Sequence, residues 1–503
     1  MRVSLIHPPS SYTVSSLPPL GMAYVAAAIQ QRGHKVRVFD WATEPELSLK
    51  NQVARIWQSD PEVIGLIALT GSYSAVQQIV AMIREKTACP IVLGGIHATL
   101  SPSLTLLENP GVDFVIAGES AGAFGELLLA LEQPERRVDD IPGLAFRRGQ
   151  EIVENGGSCP GIDPDRSFPA FHLFDLAAYD GDGLNGARML PLLTGWDETT
   201  GSRLWRRRQV DSIIAELWYN ASHYRSHAAW FVGQPFHDND LWAQQLTQAI
   251  TDRGLKIQWR CQADVANVTP RFLGQMRHAG CRQVDYHFCF DKGPLDEKYL
   301  QRLRRNVAWT TRLDIKSRGH LRIGLPGENE DRIKRLNAFM ADLDLDEVEI
   351  QPYRPLVDSA GWLLAQERYL NTDQIGSIFR SLYENVPAEC MYLSRPSSSS
   401  VAENTLKEMV REGHWLVSEA RRCRKYELYF GKSLGTFLWR LSQQGHFRSM
   451  GRRIIDLGMF QGLRTAGEKG IEGPVRKTIQ NAGEKAEAVP STGDKWEVSA
   501  PAD

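Results

Sequence analysis

The sequence predicts an α/β protein in which two successive domains of alternating strands and helices precede a helical C-terminal region. Short apolar runs without polar alternation, such as Ile91 to Leu93, are typical of parallel strands buried on both faces. Helix-length segments separate these runs, which is the pattern of strand-helix-strand units. With 503 residues the chain is too long for a single core. We place the domain bounds at residues 1–135, 136–185 (a connector), 186–364, 365–464 (helical) and 465–503 (a disordered tail).

Composition and charge argue against several classes of protein. The chain has 58 Lys and Arg against 60 Asp and Glu, so its charge balance does not favour nucleic acid or an anionic membrane as a partner. No apolar run approaches the ~18 residues that a membrane helix needs, and residues 1–9 lack the features of a signal or transit peptide. The seven scattered cysteines argue against a disulfide framework. We expect a cytoplasmic protein.

In the first domain, strands are predicted at residues 3–6, 35–39, 63–69, 90–93 and 113–117, and helices at 20–32 and 75–86. This alternation predicts a doubly wound parallel sheet of the Rossmann or flavodoxin type. Ligands of such sheets bind at the carboxyl ends of the strands. Those ends carry polar or glycine-rich loops here, namely His7-Pro8-Pro9, Leu69 to Ser72, Gly94 to Thr99 and Gly118 to Ser120.

The loop from Gly94 to Thr99 is the most informative of the four. Gly94 and Gly95 let the backbone turn and let a bulky ligand approach, and His97 and Thr99 add an imidazole and a hydroxyl. The domain has neither the phosphate-binding Gly-x-x-x-x-Gly-Lys-Ser/Thr loop nor the three-glycine dinucleotide spacing, which argues against ATP and NAD. A large ligand of another kind is expected. The alternative is an ordinary Gly-Gly loop in a flavodoxin-like domain that has lost its cofactor.

Four motifs of this domain resemble the cobalamin-binding domain of B12-dependent radical SAM proteins, the class B methyltransferases and bacteriochlorophyll cyclases. They are His7-Pro8-Pro9, Pro18 to Ala27, the Gly-Gly-Ile-His-Ala-Thr loop and Asp113 to Glu119, in matching order and spacing. The resemblance implies that cobalamin is the cofactor and that its nucleotide tail runs beside the two glycines. The binding residues that it implies are Thr70, Gly71, Ser72, Gly94, Gly95, His97, Thr99, Gly118 and Glu119. The sequence has no Asp-x-His-x-x-Gly motif, so we expect no standard histidine ligand for cobalt and interpret His97 as a loop residue near the tail.

The connector is expected to begin with a small hairpin over residues 141–154 and to continue as a turn-rich linker. In the second domain, strands are predicted at 188–193, 228–232, 257–262, 283–288, 320–324 and 347–352. Helices are predicted between them at 210–224, 240–253, 270–279 and 330–343. Such repeated units predict an open or closed barrel. Residues 277–282, 321–330 and 351–356 resemble later signatures of the radical SAM barrel.

The loop after the first barrel strand departs from this family. Radical SAM proteins carry Cys-x3-Cys-x2-Cys there, because three thiolates hold three irons of a 4Fe-4S cluster and leave the fourth for S-adenosylmethionine (SAM). Thr194 to Trp205 contains no cysteine, and carboxylates do not replace soft thiolate ligands. Cys261, Cys281 and Cys289 fall on or beside later strands, and we interpret them as buried structural thiols. We expect no 4Fe-4S cluster and assign no residue as a metal ligand.

Further departures concern SAM itself. Residues 231–236 lack the acidic residues that usually end the second strand of the family. Phe290 to Gly293 stands where a glutamate-serine-glycine turn usually meets the SAM ribose. Residues 306–320 are too few for the strand and full helix expected before the Gly-Leu-Pro-Gly turn. We therefore expect no reductive cleavage of SAM and leave open whether SAM binds.

The candidate catalytic residues lie in the loop that has lost the cysteines, and they are Trp196, Asp197 and Glu198. A missing cluster leaves a void that either fills with side chains or stays open for a ligand. We expect Trp196 and Trp205 to cap the barrel mouth and the two carboxylates to pair with Arg206 to Arg208. If the protein is an enzyme, the same pocket is expected to include Trp230, Gln234 and His237.

In the C-terminal region, helices are predicted at 374–383 and 404–419, on either side of a flexible Ser397 to Ser400 segment. Arg421 to Lys425, with Trp439 and Arg440 further on, give a basic aromatic surface. We interpret it as a solvated helix face, with a partner-binding surface as the alternative.

Three functions stay open from the sequence. The first is an enzyme that uses cobalamin without a cluster for methyl transfer or rearrangement on a small molecule, for example in secondary metabolism. The second is a non-catalytic protein that holds cobalamin as a partner or scaffold of an intact homologue. The third is an intact radical SAM C-methyltransferase. No nucleic acid or membrane is expected as a partner.

Overall fold

The computed structural model describes residues 1–9, 17–69, 72–133, 135–157, 159, 161, 163–182, 184–197, 205–237, 240–288, 290, 296–325, 328–352 and 403–443. The chain divides into two compact units, Met1–Val417 and Ser418–Asp503. The first unit holds both of the predicted α/β domains.

The first domain alternates strands and helices as predicted. Its strands are β1 Arg2–His7, β2 Lys35–Asp40, β3 Val63–Ile67, β4 Ile91–Gly94, β5 Phe114–Ile116, β6 Leu144–Arg148 and β7 Glu151–Glu154. Its helices are α1 Leu20–Gln31, α2 Leu49–Ile56, α3 Tyr73–Arg84, α4 Ile96–Leu100, α5 Pro102–Glu108 and α6 Ser120–Glu132.

The predicted doubly wound sheet is confirmed. Its described strands run in the order β2-β1-β3-β4-β5-β6-β7, and the first five are parallel. The predicted connector hairpin is β6-β7, which pairs antiparallel with β5 and so extends the sheet at one edge. Apolar side chains of α1 and α6 pack on one face of the sheet, and those of α2, α3 and α5 pack on the other. The carboxyl ends of the parallel strands therefore share one edge between two helical layers.

Several elements of this domain differ from the prediction. The helices α2, α5 and α6 were not predicted, and α6 buries residues around most of its circumference, so it lacks the one-sided apolar stripe of a surface helix. Strand β3 ends at Ile67 rather than at residue 69. The backbone of Ala68 instead forms hydrogen bonds with the segment Gly94 to His97 at the end of β4. The Ala68 N–H donates to the Gly94 carbonyl at 2.7 Å, and the Ala68 carbonyl accepts from the His97 N–H at 3.1 Å.

The second domain continues the alternation of strands and helices. Its strands are β8 Met189–Leu193, β9 Gly195–Asp197, β10 Trp205–Arg207, β11 Ala228–Phe236, β12 Gln258–Ala263, β13 Cys281–Phe288, β14 Lys316–Ile323 and β15 Glu347–Pro352. Its helices are α7 Val210–Tyr224, α8 Leu241–Asp252, α9 Pro270–His278, α10 Glu297–Arg312 and α11 Glu330–Asp342.

The repeated strand-helix units from which an open or closed barrel was predicted form an all-parallel sheet. Its described strands run in the order β8-β11-β12-β13-β14-β15, so each strand lies beside its successor in the chain. Helices α7 to α11 cover one face with a continuous apolar core. The opposite face carries the alternate residues of β12 to β15, which are largely polar. Strands β9 and β10 form a separate antiparallel ribbon just after β8.

The expected shortage of chain before the Gly-Leu-Pro-Gly turn is wrong. Helix α10 begins at Glu297, well before residue 306, and the strand β14 that follows has eight residues. Asp296 caps the helix by accepting a hydrogen bond from the Lys298 N–H. The buried stripe of α10 includes Leu300, Leu303 and Val307, which alternate with charged residues. That polar background explains why the helix escaped prediction.

The described C-terminal helices are α12 Glu403–Phe430 and α13 Lys432–Gln443. Helix α12 starts where the prediction placed it but runs beyond residue 419, through the basic segment Arg421 to Lys425. The predicted helix at 374–383, the Ser397 to Ser400 segment and the tail from residue 465 lie outside the described residues. Among the described helices, none combines the length and the apolar character needed to cross a bilayer.

Candidate functional site

A cavity of about 1010 Å³ lies between the two domains of the first unit. Residues at the carboxyl edge of the first sheet line one side of it, among them Gly94, Gly95, Gly118, Glu119 and Ser120. Three residues from the start of the second domain line the other side, and they are Leu193, Arg206 and Val232. Leu193 ends β8 and Val232 lies on β11, so the cavity joins the ligand-binding edges of both sheets.

Gly94 and Gly95 sit where two loops come very close. Gly95 has a φ of 103°, and a Cβ on it would lie 2.8 Å from the carbonyl oxygen of Ala68. Gly94 has ordinary backbone angles, and a Cβ there would lie 2.9 Å from Oγ of Ser120. Both positions also line the cavity. A side chain at Gly95 would strain the backbone, whereas one at Gly94 would mainly occupy the cavity.

Two of the three hydroxyls predicted to bind the cofactor, those of Ser72 and Thr99, form hydrogen bonds within the protein. Thr99 Oγ1 donates to the Gly95 carbonyl at 2.9 Å and accepts from the Gly118 N–H at 3.0 Å. Ser72 is buried, and its Oγ donates to the Leu69 carbonyl at 3.3 Å. Thr99 therefore ties the loop after β4 to the loop after β5, which holds the cavity edge in place. Thr70 and Gly71 lie outside the described residues.

His97 packs behind the loop. Its imidazole is 4% exposed, and its ring centroid lies 3.9 Å from that of Tyr73 at the start of α3. Burial lowers the pKa of His97 to about 4, so the ring is neutral near pH 7. The structure thus places this side chain in the core beside α3, while Gly94 and Gly95 face the cavity.

Glu119 contributes the one carboxylate among the predicted cofactor residues. Its side chain packs against Gly161 of the connector, where an added Cβ would lie 3.3 Å from Oε2. The side chain faces the cavity, and the surrounding protein removes enough water to raise the pKa of the carboxyl. Glu119 is therefore a polar group poised at the cavity wall, between the first sheet and the connector.

An apolar slot deepens the cavity between the first sheet and helices α1 and α6. Its walls include Leu5, Gly65 and Val92 of the sheet, Leu20 of α1 and Phe124 of α6. A Cβ on Gly65 would lie 2.8 Å from Cδ2 of Leu5 and 2.9 Å from Cε2 of Phe124. The sequence reading missed this slot. The available signal was Gly65 itself, because a glycine inside an apolar strand marks a close approach.

The loop that lacks the cluster cysteines forms the β9-β10 ribbon at the cavity. Its register pairs Trp196 with Arg206 and Asp197 with Trp205. A Cβ on Gly195 would lie 2.7 Å from the carbonyl oxygen of Arg206, so the ribbon closes tightly at its base. The side chains of Trp196, Asp197 and Trp205, and the whole of Glu198, lie outside the described part of the chain. The backbone nevertheless brings this loop to the junction of the domains.

Arg207 and Arg208 each pair with an acidic residue outside the loop. The expected pairing of Arg206 to Arg208 with Asp197 and Glu198 stays a prediction, because those two carboxylates lie outside the described part of the chain. Arg207 pairs with Asp240, and its guanidinium lies 4.7 Å from the ring centroid of Trp242. Arg208 is wholly buried and donates from Nη1 to Glu216 at 2.6 Å. Both arginines precede α7, and their acidic partners lie on α7 itself and at the N-cap of α8.

Two of the cysteines proposed as structural thiols are buried as predicted. Cys261 and Cys281 have no exposed surface and belong to the core beneath the helices. Burial raises the pKa of the Cys261 thiol, which disfavours the thiolate form that binds iron. Cys289 lies outside the described residues.

Residues 12–128 match the model of the B12 binding domain family. This match covers the predicted motifs from Pro18 to Glu119 and the glycines that line the cavity.

Similar proteins extend the comparison beyond that domain. The chain is 26% identical over 386 residues to an uncharacterized methyltransferase of Pyrococcus horikoshii, covering 72% of this chain and 82% of that protein. It is 28% identical over 240 residues to an anaerobic magnesium-protoporphyrin IX monomethyl ester cyclase of Synechocystis, covering 44% of this chain and 48% of the cyclase. The chain therefore spans about half the length of that cyclase.

A solved structure supports the fold of both domains. TsrM of Kitasatospora setae, a radical SAM methyltransferase solved with cobalamin and a 4Fe-4S cluster bound, superimposes with a TM-score of 0.59 at 17% identity. The match covers 73% of this chain and 75% of TsrM. At this identity the likeness concerns the fold alone. Taken together, these matches confirm the resemblance: the chain carries a B12-binding domain followed by a radical SAM-like fold, and it is related to the cobalamin-binding radical SAM methyltransferases and cyclases.

Proposed function

We propose that this protein is a cobalamin-dependent methyltransferase that acts on a small molecule without a 4Fe-4S cluster. One observation carries the proposal. The cavity that begins at Gly94 and Gly95 of the B12-binding domain continues to Leu193 and Val232 at the mouth of the second sheet. A ligand held by the first domain would thus face the place where parallel-sheet enzymes bind their substrates.

The residues present fit cobalamin. Ligand sites of proteins commonly have volumes of about 300–1,000 Å³, and a cavity of about 1010 Å³ is at the upper end, which suits a large cofactor. The apolar wall formed by residues such as Leu20, Val92 and Phe124 suits a flat nucleotide base, and the Gly94-Gly95 edge suits its connecting chain. Glu119 and Ser120 supply polar groups at the rim. When bound, cobalamin supplies methyl-transfer chemistry, and the chain supplies binding, orientation and exclusion of water.

The part of the proposal that concerns the cluster rests on the β9-β10 ribbon. Thr194 to Trp205 offers no thiolate, and its base is closed by the contact of Gly195 with Arg206. Cys261 and Cys281 lie on the helix-covered face of the second sheet, within the apolar core. Polar methyl transfer needs neither a reduced cluster nor a SAM-derived radical, so this arrangement supports it.

A labelling experiment tests the proposal. The purified chain is loaded with cobalamin that carries an isotopically labelled methyl group and is incubated, in iron-free buffer, with a small-molecule extract of its source cells. We expect a labelled small molecule, detected by mass spectrometry, from the loaded chain and none from free cobalamin. The absence of any labelled compound would contradict the proposed methyltransferase activity. Formation of 5'-deoxyadenosine from added SAM would contradict the cluster-independent chemistry.

A further inference from the structure

The face of the second sheet that is turned away from its helices carries a polar group of side chains on three neighbouring strands. On β13, Val284, Tyr286 and Phe288 belong to the core beneath the helices. The alternate residues of that strand therefore point to the opposite face. The same alternation applies to β14 and β15. Polar residues on this open face include Asp285, His287, Arg318, His320, Arg322 and Glu349.

His287 and His320 stack on each other at the centre of this face. They are register partners on β13 and β14, and their ring centroids lie 4.7 Å apart with planes inclined by 11°. Burial lowers the pKa of each imidazole, and for His287 the neighbouring His320 and Arg322 lower it further. Two stacked rings of this kind are neutral near pH 7 and present hydrogen-bonding nitrogens rather than charges.

Glu349 orients His320. The Nδ1 atom of His320 lies 3.1 Å from Oε2 of Glu349, its register partner on β15. Because a carboxylate only accepts hydrogen bonds, this close approach favours the neutral tautomer of His320 that carries its proton on Nδ1. The Nε2 atom of His320 is then an acceptor for a hydroxyl or N–H group of a ligand.

Arg322 supplies the positive charge that lacks a partner. It lies two residues beyond His320 on the same face, closer to the carboxyl end of β14, and its side chain is exposed. Within the described part of the chain, Arg322 makes no hydrogen bond or ion pair. Arg318 on the same strand, by contrast, donates from Nε to Glu347 at 2.7 Å.

The nearby carboxylates already have partners. Asp285 accepts a hydrogen bond from Gln283 Nε2 at 2.9 Å. Glu349 faces His320, and Glu347 faces Arg318. The charge left for a ligand is therefore that of Arg322, and a guanidinium with two free edges matches the geometry of a carboxylate or phosphate.

We propose that Arg322, His287 and His320 form a subsite for the acidic group of an anionic substrate. Arg322 binds the carboxylate or phosphate, His287 contributes a hydrogen bond from its ring, and His320 Nε2 accepts a hydrogen bond from a neighbouring hydroxyl or N–H of the same molecule. The inference deepens the proposed methyltransferase function, on which it rests, by assigning it a small acidic substrate with an adjacent hydrogen-bond donor.

Binding to the full chain without cobalamin tests the subsite separately from the methyl-transfer reaction. The probes are mandelate (a carboxylate beside a hydroxyl), phenylacetate (the same without the hydroxyl), phenyl phosphate and uncharged mandelamide, titrated by ligand-observed NMR or calorimetry. We expect mandelate or phenyl phosphate to bind and mandelamide to bind at least about tenfold more weakly, since each ~1.4 kcal/mol is a factor of ten. Tighter binding of mandelate assigns a carboxylate, and tighter binding of phenyl phosphate assigns a phosphate.

Single substitutions test whether the anion binds at the proposed subsite. Arg322→Gln should weaken anion binding at least about tenfold, whereas the matched variant Arg302→Gln, on the exposed face of α10, should leave it unchanged. His320→Phe should remove the preference for mandelate over phenylacetate. As a second readout, a bound anion should protect His287 and His320 from diethylpyrocarbonate, measured by peptide mass mapping.

Three results would contradict the proposed subsite. One is equal binding of the charged and uncharged probes to the wild-type chain. Another is unchanged anion binding in Arg322→Gln that has the wild-type melting temperature. A third is loss of S-adenosylhomocysteine binding alone in Arg322→Gln, because it would assign the arginine to a SAM carboxylate instead.

Discussion

Arg208 donates a 2.6 Å hydrogen bond to Glu216, and both side chains are wholly buried. Asp165 of the connector lies 3.5 Å from Arg208 Nε. Tyr24 of the first domain lines the cavity and lies near this pair. Burial, and to a lesser extent the charge of Glu216, raise the pKa of its hydroxyl. The wall of the cofactor cavity and the first helix of the second domain therefore meet around one buried ion pair.

Breaking this pair should destabilise the protein. Glu216→Leu leaves a buried guanidinium without its partner, and such losses cost about 3–5 kcal/mol. We expect a clear fall in the melting temperature. Asp211→Asn, which removes an exposed ion pair of the same helix with Arg253, should cost less than about 1 kcal/mol. Combining Arg208→Met with Glu216→Leu should recover most of the loss, and equal melting of Glu216→Leu and wild type would contradict the account.

The stability of the first domain should depend on pH through His97. Its pKa is lowered from 6.5 to about 4 by burial, so the unfolded chain binds the proton more readily. The stabilising contribution is complete above pH 6.5 and is lost as the pH falls toward 4, with an upper limit of about 3 kcal/mol. His97→Phe, which keeps an aromatic ring against Tyr73, should melt with a flatter pH dependence between these values. The exposed His278→Gln serves as control, and an unchanged slope in His97→Phe would refute the prediction.

The fold followed from local patterns, whereas the contacts of the site depended on distant residues. Apolar runs and glycine-rich turns were enough to predict both sheets. Helix α10 escaped because its apolar positions are interleaved with charges. The sequence predicts a ligand-binding hydroxyl at Thr99, but the fold brings that hydroxyl to the Gly118 N–H. The partner of Arg208 is Glu216, which lies on α7, eight residues further along the chain. Such pairings become visible only once the elements are packed.

Iron reconstitution tests the expected loss of the cluster. Because Thr194 to Trp205 offers no thiolate and Cys261 is a buried thiol of raised pKa, anaerobic incubation with iron and sulfide should give no stoichiometric 4Fe-4S cluster. TsrM, treated in the same way, is the positive control. Absorbance, EPR and iron content are the measurements. A stoichiometric cluster lost on replacing Cys261, Cys281 or Cys289 by Ala would refute this expectation.

Substitutions in the loop after β8 distinguish an enzyme from a scaffold. If the protein is an enzyme, Trp196→Ala or Glu198→Gln should abolish labelling of the small molecule while leaving corrinoid binding intact, since both residues belong to the loop from Thr194 to Trp205 that lacks the cluster cysteines. If it is a scaffold, those variants should complement a deletion strain fully. Substitution of Arg421 to Lys425 by Gln should then break association with the partner. Full activity of both Trp196→Ala and Glu198→Gln would contradict the enzyme hypothesis.

Corrinoid retention tests the central claim most directly. The chain is loaded with hydroxocobalamin, passed through gel filtration and analysed by absorbance for corrinoid per chain. We predict about one corrinoid per wild-type chain and a loss of at least about tenfold in Gly94→Val, whose new Cβ would contact Ser120 at the wall of the cavity. Gly274→Val, at a helical position with no atom within 4 Å of its Cβ, should retain the wild-type amount. Equal retention by Gly94→Val and wild type, or no retention by the wild type, would contradict the account.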